Sequence, residues 1–241
     1  MATVNINASK QTWASSGTQS TFSAARNATS SNTHTNYTSQ ANKTTAISEF
    51  WSSGRGGGAA TITRSFFFFD TSTVNGTITA IGLQIYNNGP INAGNAVRVA
   101  KSTAFGGDGN TAYANTDFDN WASLNTVPNP SEPIPYSDSN YTWTGGLNNV
   151  PAATNTISLN STAISNANSN SYLNLVLVGG SYDYVNNSPL SNIELNSQIQ
   201  FASTTVFPRL SITYIPAVSG ITTVSSVIGV EAANISSINS I

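Results

Sequence analysis

Ala60-Thr61-Ile62-Thr63-Arg64-Ser65-Phe66-Phe67-Phe68-Phe69-Asp70, followed beyond Asn75-Gly76 by Thr77-Ile78-Thr79-Ala80-Ile81-Gly82-Leu83-Gln84-Ile85-Tyr86, is the stretch whose reading decides the fold. The run Phe66 to Phe69 leaves a strand no polar side, so it suits a strand buried on both faces or covered at an edge. In the second run Ile81, Leu83 and Ile85 alternate with smaller or polar residues, the period of a half-buried strand. Asn75-Gly76 is a turn dipeptide, Asn87-Asn88-Gly89-Pro90 ends the second run, and Ala96-Val97-Arg98-Val99-Ala100 reads as the next strand. The local expectation is a β-meander.

Working outward, Thr154 to Asn160, Tyr172 to Val178 and Phe207 to Ile215 read as further strands. Ser161 to Ala167 reads as a short helical turn with a hydroxyl cap. Residues 7 to 45 are rich in Ser, Thr, Asn and Ala without strong period, and predict long loops with one or two edge strands. Trp51 to Gly58, with its adjacent glycines, predicts a flexible turn. Recurring short strands with little helix argue an all-β fold, a jelly-roll β-sandwich with long loops over residues 1–215. Its expected core holds Phe66 to Phe69, Ile81, Leu83, Ile85, Leu173, Leu175, Leu177, Leu210 and Ile212.

Residues 216–241 read as a separate short extension. Val224-Ser225-Ser226-Val227-Ile228-Gly229-Val230 is echoed eleven positions later by Ile235-Ser236-Ser237-Ile238-Asn239-Ser240-Ile241. Such a small apolar peptide is either disordered or a docking and oligomerisation segment, with Val224, Val227, Val230, Ile235, Ile238 and Ile241 as its assembly residues.

Composition excludes several functions. Of 241 residues only 7% are charged, against roughly a quarter in an ordinary soluble domain, so solubility rests on Asn, Ser and Thr. Eight basic residues are thinly scattered and net charge is −2, so no stripe exists for a nucleic-acid backbone to follow. No apolar run reaches the roughly 20 residues that cross a bilayer, so no membrane partner is expected. Without cysteine, disulfides and thiolate metal sites are out of reach. The start Met1-Ala2-Thr3-Val4-Asn5-Ile6-Asn7 has neither the basic nor the apolar region of an export signal. A chain composed like an adhesin yet without that signal is expected to leave its cell by lysis, as a virion component.

Candidate sites are sparse. His34, the single histidine, lies in a polar run and is expected to be a solvated loop residue; no Gly-x-Ser-x-Gly elbow is present, so a serine hydrolase is not expected. Two carboxylates would suffice for a glycosidase, but the short Asp117–Asp119 spacing more often marks a loop or cation site. With Asp108 and Asn110, Asp117 and Asp119 offer oxygen ligands of the kind calcium takes, the one cofactor the sequence suggests. Trp51, Trp121, Trp143 and Tyr141 are candidates for a platform on which a sugar ring stacks, Trp51 being the one expected to be exposed. The alternative puts Trp121 and Trp143 in the core. Arg64, ahead of the phenylalanines, needs a partner, expected to be Asp70 or a backbone carbonyl.

At Arg64 to Tyr86, and again at Asp119-Asn120-Trp121, Tyr172 to Leu177 and Pro208-Arg209-Leu210-Ser211-Ile212-Thr213-Tyr214, the chain resembles DNRLRE-type jelly-roll domains, which look like carbohydrate-binding modules or parts of large surface proteins. The segment Val227 to Asn239 is similar to C-terminal segments of phage structural proteins, with Ser240 where their pattern has a second glycine. The resemblances imply a non-enzymatic virion structural protein of a tailed phage. Its expected place is capsid decoration or a head fibre, its partners copies of itself and other virion proteins. The other implied reading is an adhesin or tail-fibre module recognising surface polysaccharide.

Overall fold

The computed structural model describes residues 1–37, 44–54, 57–87, 96–121, 134–142, 153–200, 208–217, 226–227 and 230–231. In chain order they form β1 (Ala2–Asn7), β2 (Lys10–Ser15), α1 (Phe22–Arg26), β3 (Thr33–Tyr37), β4 (Thr44–Gly54), β5 (Gly57–Asp70), β6 (Gly76–Asn87), β7 (Ala96–Lys101) and a 3₁₀ turn (Asn115–Asp119). Then come β8 (Tyr141–Thr142), β9 (Ala153–Ser158), α2 (Ser161–Asn170), β10 (Tyr172–Gly179), β11 (Ile193–Gln200), β12 (Arg209–Pro216), β13 (Ser226–Val227) and β14 (Val230–Glu231). No helix among the described residues is long and apolar enough to cross a membrane.

Two antiparallel sheets make an all-β sandwich, as expected. One runs β1-β12-β6-β9; the other runs β11-β4-β5-β10-β7-β8, with β2 and β3 joined beside β5. The expected meander is not what forms. β5, β6 and β7 are consecutive but none pairs with the next: β6 sits in the first sheet between β12 and β9, while β5 and β7 flank β10 in the second. The turn at Asn75-Gly76 therefore carries the chain from one sheet to the other. Crossing lets the apolar face of β6 oppose β5 across the core instead of lying beside it.

The four phenylalanines divide between two cores. Phe67 and Phe69 point between the sheets with Ile81, Leu83, Ile85, Leu173, Leu175, Leu177, Leu210 and Ile212. Phe66 and Phe68 point the other way, into an outer core of Ile62, Val176, Val178, Phe105, Tyr113, Phe118 and Trp121, which α1 also enters through Phe22 and Ala25. β5 is thus buried on both faces because its outer face is roofed by α1 and by residues 102–121. Every residue of the expected core is buried.

Three local readings change. Within residues 7–45 the described residues carry β2 and β3 as the expected strands and add α1 and the start of β4 where loop was expected. Trp51 to Gly54 ends β4 and Gly57-Gly58 begins β5, so these residues are paired strand, with Gly54 opposite Gly57. α2 begins as expected, but its cap is Asn160, whose side chain accepts from Ala163 N, ahead of any hydroxyl.

Candidate functional site

β5 is long enough to hold different partners along one edge. Thr63 pairs with both Ser15 of β2 and Ser48 of β4, and Ser65 with both Trp13 of β2 and Leu177 of β10. β4 and β10 therefore follow one another along the same edge of β5, and Arg64 lies at the junction between them. Because Ile62, Arg64, Phe66 and Phe68 alternate with the inward residues, Arg64 points into the outer core, where it is fully buried.

A guanidinium in an apolar core demands complete pairing. Arg64 Nε donates to Asp183 Oδ2 at 2.9 Å and Nη2 to Asp183 Oδ1 at 2.7 Å, a two-pronged grip. Nη2 also donates to the Arg26 carbonyl at 2.8 Å and Nη1 to the Phe118 carbonyl at 3.0 Å. The guanidinium carbon lies 4.4 Å from the Phe118 ring centre and 4.8 Å from that of Trp121. The expected carbonyl partners are present; Asp70 is not among the partners, being exposed at the far end of β5 and accepting from Ser72 N.

Around this pair stand further buried charges. Arg26 at the end of α1 donates from Nε to the Asp183 carbonyl at 2.8 Å, and burial lowers its pKa. Glu49 of β4 is fully buried, and its Oε1 accepts from the backbone of Tyr182 at 2.8 Å and Asp183 at 2.6 Å. Its Oε2 has no hydrogen-bond partner among the described residues. Burial raises the Glu49 pKa to about 7. Asp119 in the 3₁₀ turn is also raised by burial, against the pull of Arg64 and Arg26.

These groups join α1, β4, β5, the 3₁₀ turn and the chain after β10 into one hub. Its bonds to the backbone of Arg26, Phe118, Tyr182 and Asp183 hold the segments that carry those residues against β5. Arg64 is the member legible from sequence, as a charge among apolar neighbours. Glu49 and Asp183 were missed because only the crossing of β4 and β10 on one edge brings them to it.

The other sequence candidates are dispersed. Asp117 is buried, its Oδ2 accepting from Phe105 N and Ala114 N, both at 3.1 Å, and its Oδ1 from the Asn120 side chain at 2.8 Å. It lies in a 3₁₀ turn, as does Asp119. Asp108 accepts from the backbone and side chain of Asn110. Among the described residues no group of three or more His, Asp or Glu side chains stands together to hold a metal ion.

His34 is not a solvated loop residue; it lies in β3, half-buried, with Nδ1 2.6 Å from Asn115 Oδ1 and its ring tilted on Tyr113. Its hydrogen-bond neighbour is an amide where a triad would need an acid.

The aromatic candidates do not form one platform. Trp121 is buried in the outer core. Tyr141 packs against the inter-sheet core and donates to Asn155 Oδ1 at 3.0 Å. Trp51, expected to be exposed, is half-buried against the outer core, with the end of its ring close against Gly58. Trp143 lies outside the described residues, as do Val224, Ile235, Ile238 and Ile241 of the C-terminal segment; Val227 and Val230 pair across β13 and β14. In comparison with known proteins, the chain matches no protein-family model and no curated protein.

Proposed function

We propose that the chain is a non-enzymatic virion structural protein, of the capsid-decoration or head-fibre kind, which joins copies of itself and other virion proteins through its C-terminal segment. The observation that carries this reading is how the sandwich ends. β12 is paired by β1 on one side and β6 on the other, and Ala217 N then donates to Asn75 O at 3.0 Å. Beyond it β13 and β14 pair with each other and, among the described residues, with no strand of the sandwich. A short apolar segment that follows a completed fold has its own binding energy to offer a partner.

The uncharged composition supports the same reading, since attachment then rests on apolar and hydrogen-bonded contacts that salt does not screen. The test is the native mass of the full chain beside a version ending at Ala217. The reading expects an assembly from the full chain and a folded monomer from the shortened one; two monomers, or two equal assemblies, would remove it.

A further inference from the structure

The β1 edge of the sandwich is open, and its unused backbone groups can be named. Ala8 N donates to Pro208 O at 2.9 Å, one step beyond the β1–β12 pairs that run from Ala2 opposite Tyr214 to Asn7 opposite Arg209. In an antiparallel pair every second residue bonds the same neighbour, so Ile6, Val4 and Ala2 turn their N–H and C=O to β12. Thr3, Asn5 and Asn7 turn theirs to the other side, where no strand of the described residues lies. We propose that this edge receives the β13–β14 pair of a second copy, which adds to the sheet as a further strand. Resting on the assembly reading above, this names the surface on which the C-terminal segment docks.

Nothing on β1 defends the edge. Its six residues, Ala2-Thr3-Val4-Asn5-Ile6-Asn7, carry neither charge nor proline, and the β1–β12 register runs without a bulge. Those are the devices by which edge strands refuse other chains. Val4 and Ile6 pack on the inter-sheet core but are only half-buried, so a strand laid beside them would cover apolar surface as well as bond backbone.

The occupant follows from the other end of the chain. β13 and β14 pair through Ser226 with Glu231 and Val227 with Val230 and, among the described residues, with nothing else. So short a hairpin is marginal in water by itself and gains most from a third strand. The segment also leaves the sandwich beside the open edge: Ala2 pairs with Tyr214, and only Ile215 and Pro216 of β12 lie beyond. Met1 and Ile215, which flank that last pair, are both exposed apolar side chains. From Ala217 to Ser226 the chain can span about 30 Å, more than the length of β1. A two-fold contact at this corner therefore sets each segment against the other copy's edge. β9, the other outer strand of that sheet, lies beyond β6, away from the exit.

The test compares amide hydrogen exchange, residue by residue, in the full chain and in full-length Val227→Asp/Val230→Asp, with native mass measured on the same samples. In the assembled full chain the amides of Thr3, Asn5 and Asn7 should exchange about tenfold more slowly than in the variant, whereas Val4 and Ile6, bonded to β12 in both, should not change. Asn5→Pro removes an outward N–H and no bond to β12, and should sediment as a folded monomer. Equal exchange at the three amides in an assembled parent and the variant, protection along β9 instead, or a folded Asn5→Pro at the parent's mass would overturn the site and leave the assembly reading standing. A monomeric full chain would overturn both. Were Asn5→Pro to lose its circular dichroism, the exchange comparison decides by itself.

Discussion

The Asp183 carboxylate grips the Arg64 guanidinium through both oxygens, at 2.7 and 2.9 Å, across 119 residues of chain. The pair is fully buried, and it fixes where the chain after β10 and the 3₁₀ turn meet the outer face of β5. Removing one partner strands a charge in an apolar core, which costs far more than the pair itself is worth.

Arg64→Ala and Asp183→Ala are each expected to lower unfolding stability by about 3–5 kcal/mol in urea titrations. Arg64→Lys should recover little of this, since an ammonium cannot serve two carboxylate oxygens, two carbonyls and two rings at once. Arg209→Ala, at a half-buried position on β12, is the comparison and should cost under ~1 kcal/mol. Full stability in Arg64→Ala would show that the hub is not holding the outer core.

Glu49 gives stability a pH slope of definite sign. Its folded pKa, about 7, lies above the ordinary 4.5, so the folded state holds the proton more tightly than the unfolded chain. That contribution is complete below pH 4.5 and is lost as pH rises to about 7, a change on the order of 3 kcal/mol. Glu49→Gln keeps an oxygen for the Tyr182 and Asp183 amides but cannot ionise. Denaturation midpoints of the variant relative to the parent should therefore improve from pH 5 to pH 8; a parallel pair of pH profiles would contradict the placement of Glu49.

The divided phenylalanine run predicts that neither face of β5 is expendable. Phe67→Ala in the inter-sheet core and Phe66→Ala in the outer core should each cost about 3–5 kcal/mol. A sandwich whose outer face met solvent would lose that much only from Phe67, so a near-neutral Phe66→Ala in calorimetry would argue against the roof of α1 and residues 102–121.

Assembly through the C-terminal segment should resist salt. With so few charges, raising ionic strength to about 1 M leaves little attraction to screen, and light scattering should report an unchanged mass. Dissociation by moderate salt would indicate an ionic interface that this reading does not contain.

Particular residues show what the sequence could reveal. Ile81, Leu83 and Ile85 announce a strand because period two survives any topology, and the Phe66–Phe69 run announces two covered faces. Which strands pair is another matter. Asn75-Gly76 looks like a hairpin turn, yet it joins strands of different sheets, because pairing is settled by side chains far off in the chain. Asp183 and Glu49 were invisible for the same reason: Arg64 declares a need for a counter-charge but not its address. Trp51 read as exposed because the neighbouring glycines suggested a loose turn, whereas the end of its ring sits close against Gly58.

The central claim is that a finished sandwich is joined to its partners by the segment after Ala217. The most direct measurement is sedimentation equilibrium of the full chain beside a full-length Val227→Asp/Val230→Asp variant, which places charge on both strands of the β13–β14 pair. The account predicts an assembled parent and a monomeric variant with the same circular dichroism. A variant that sediments at the parent's mass, whether both are monomers or both are assembled, would contradict it.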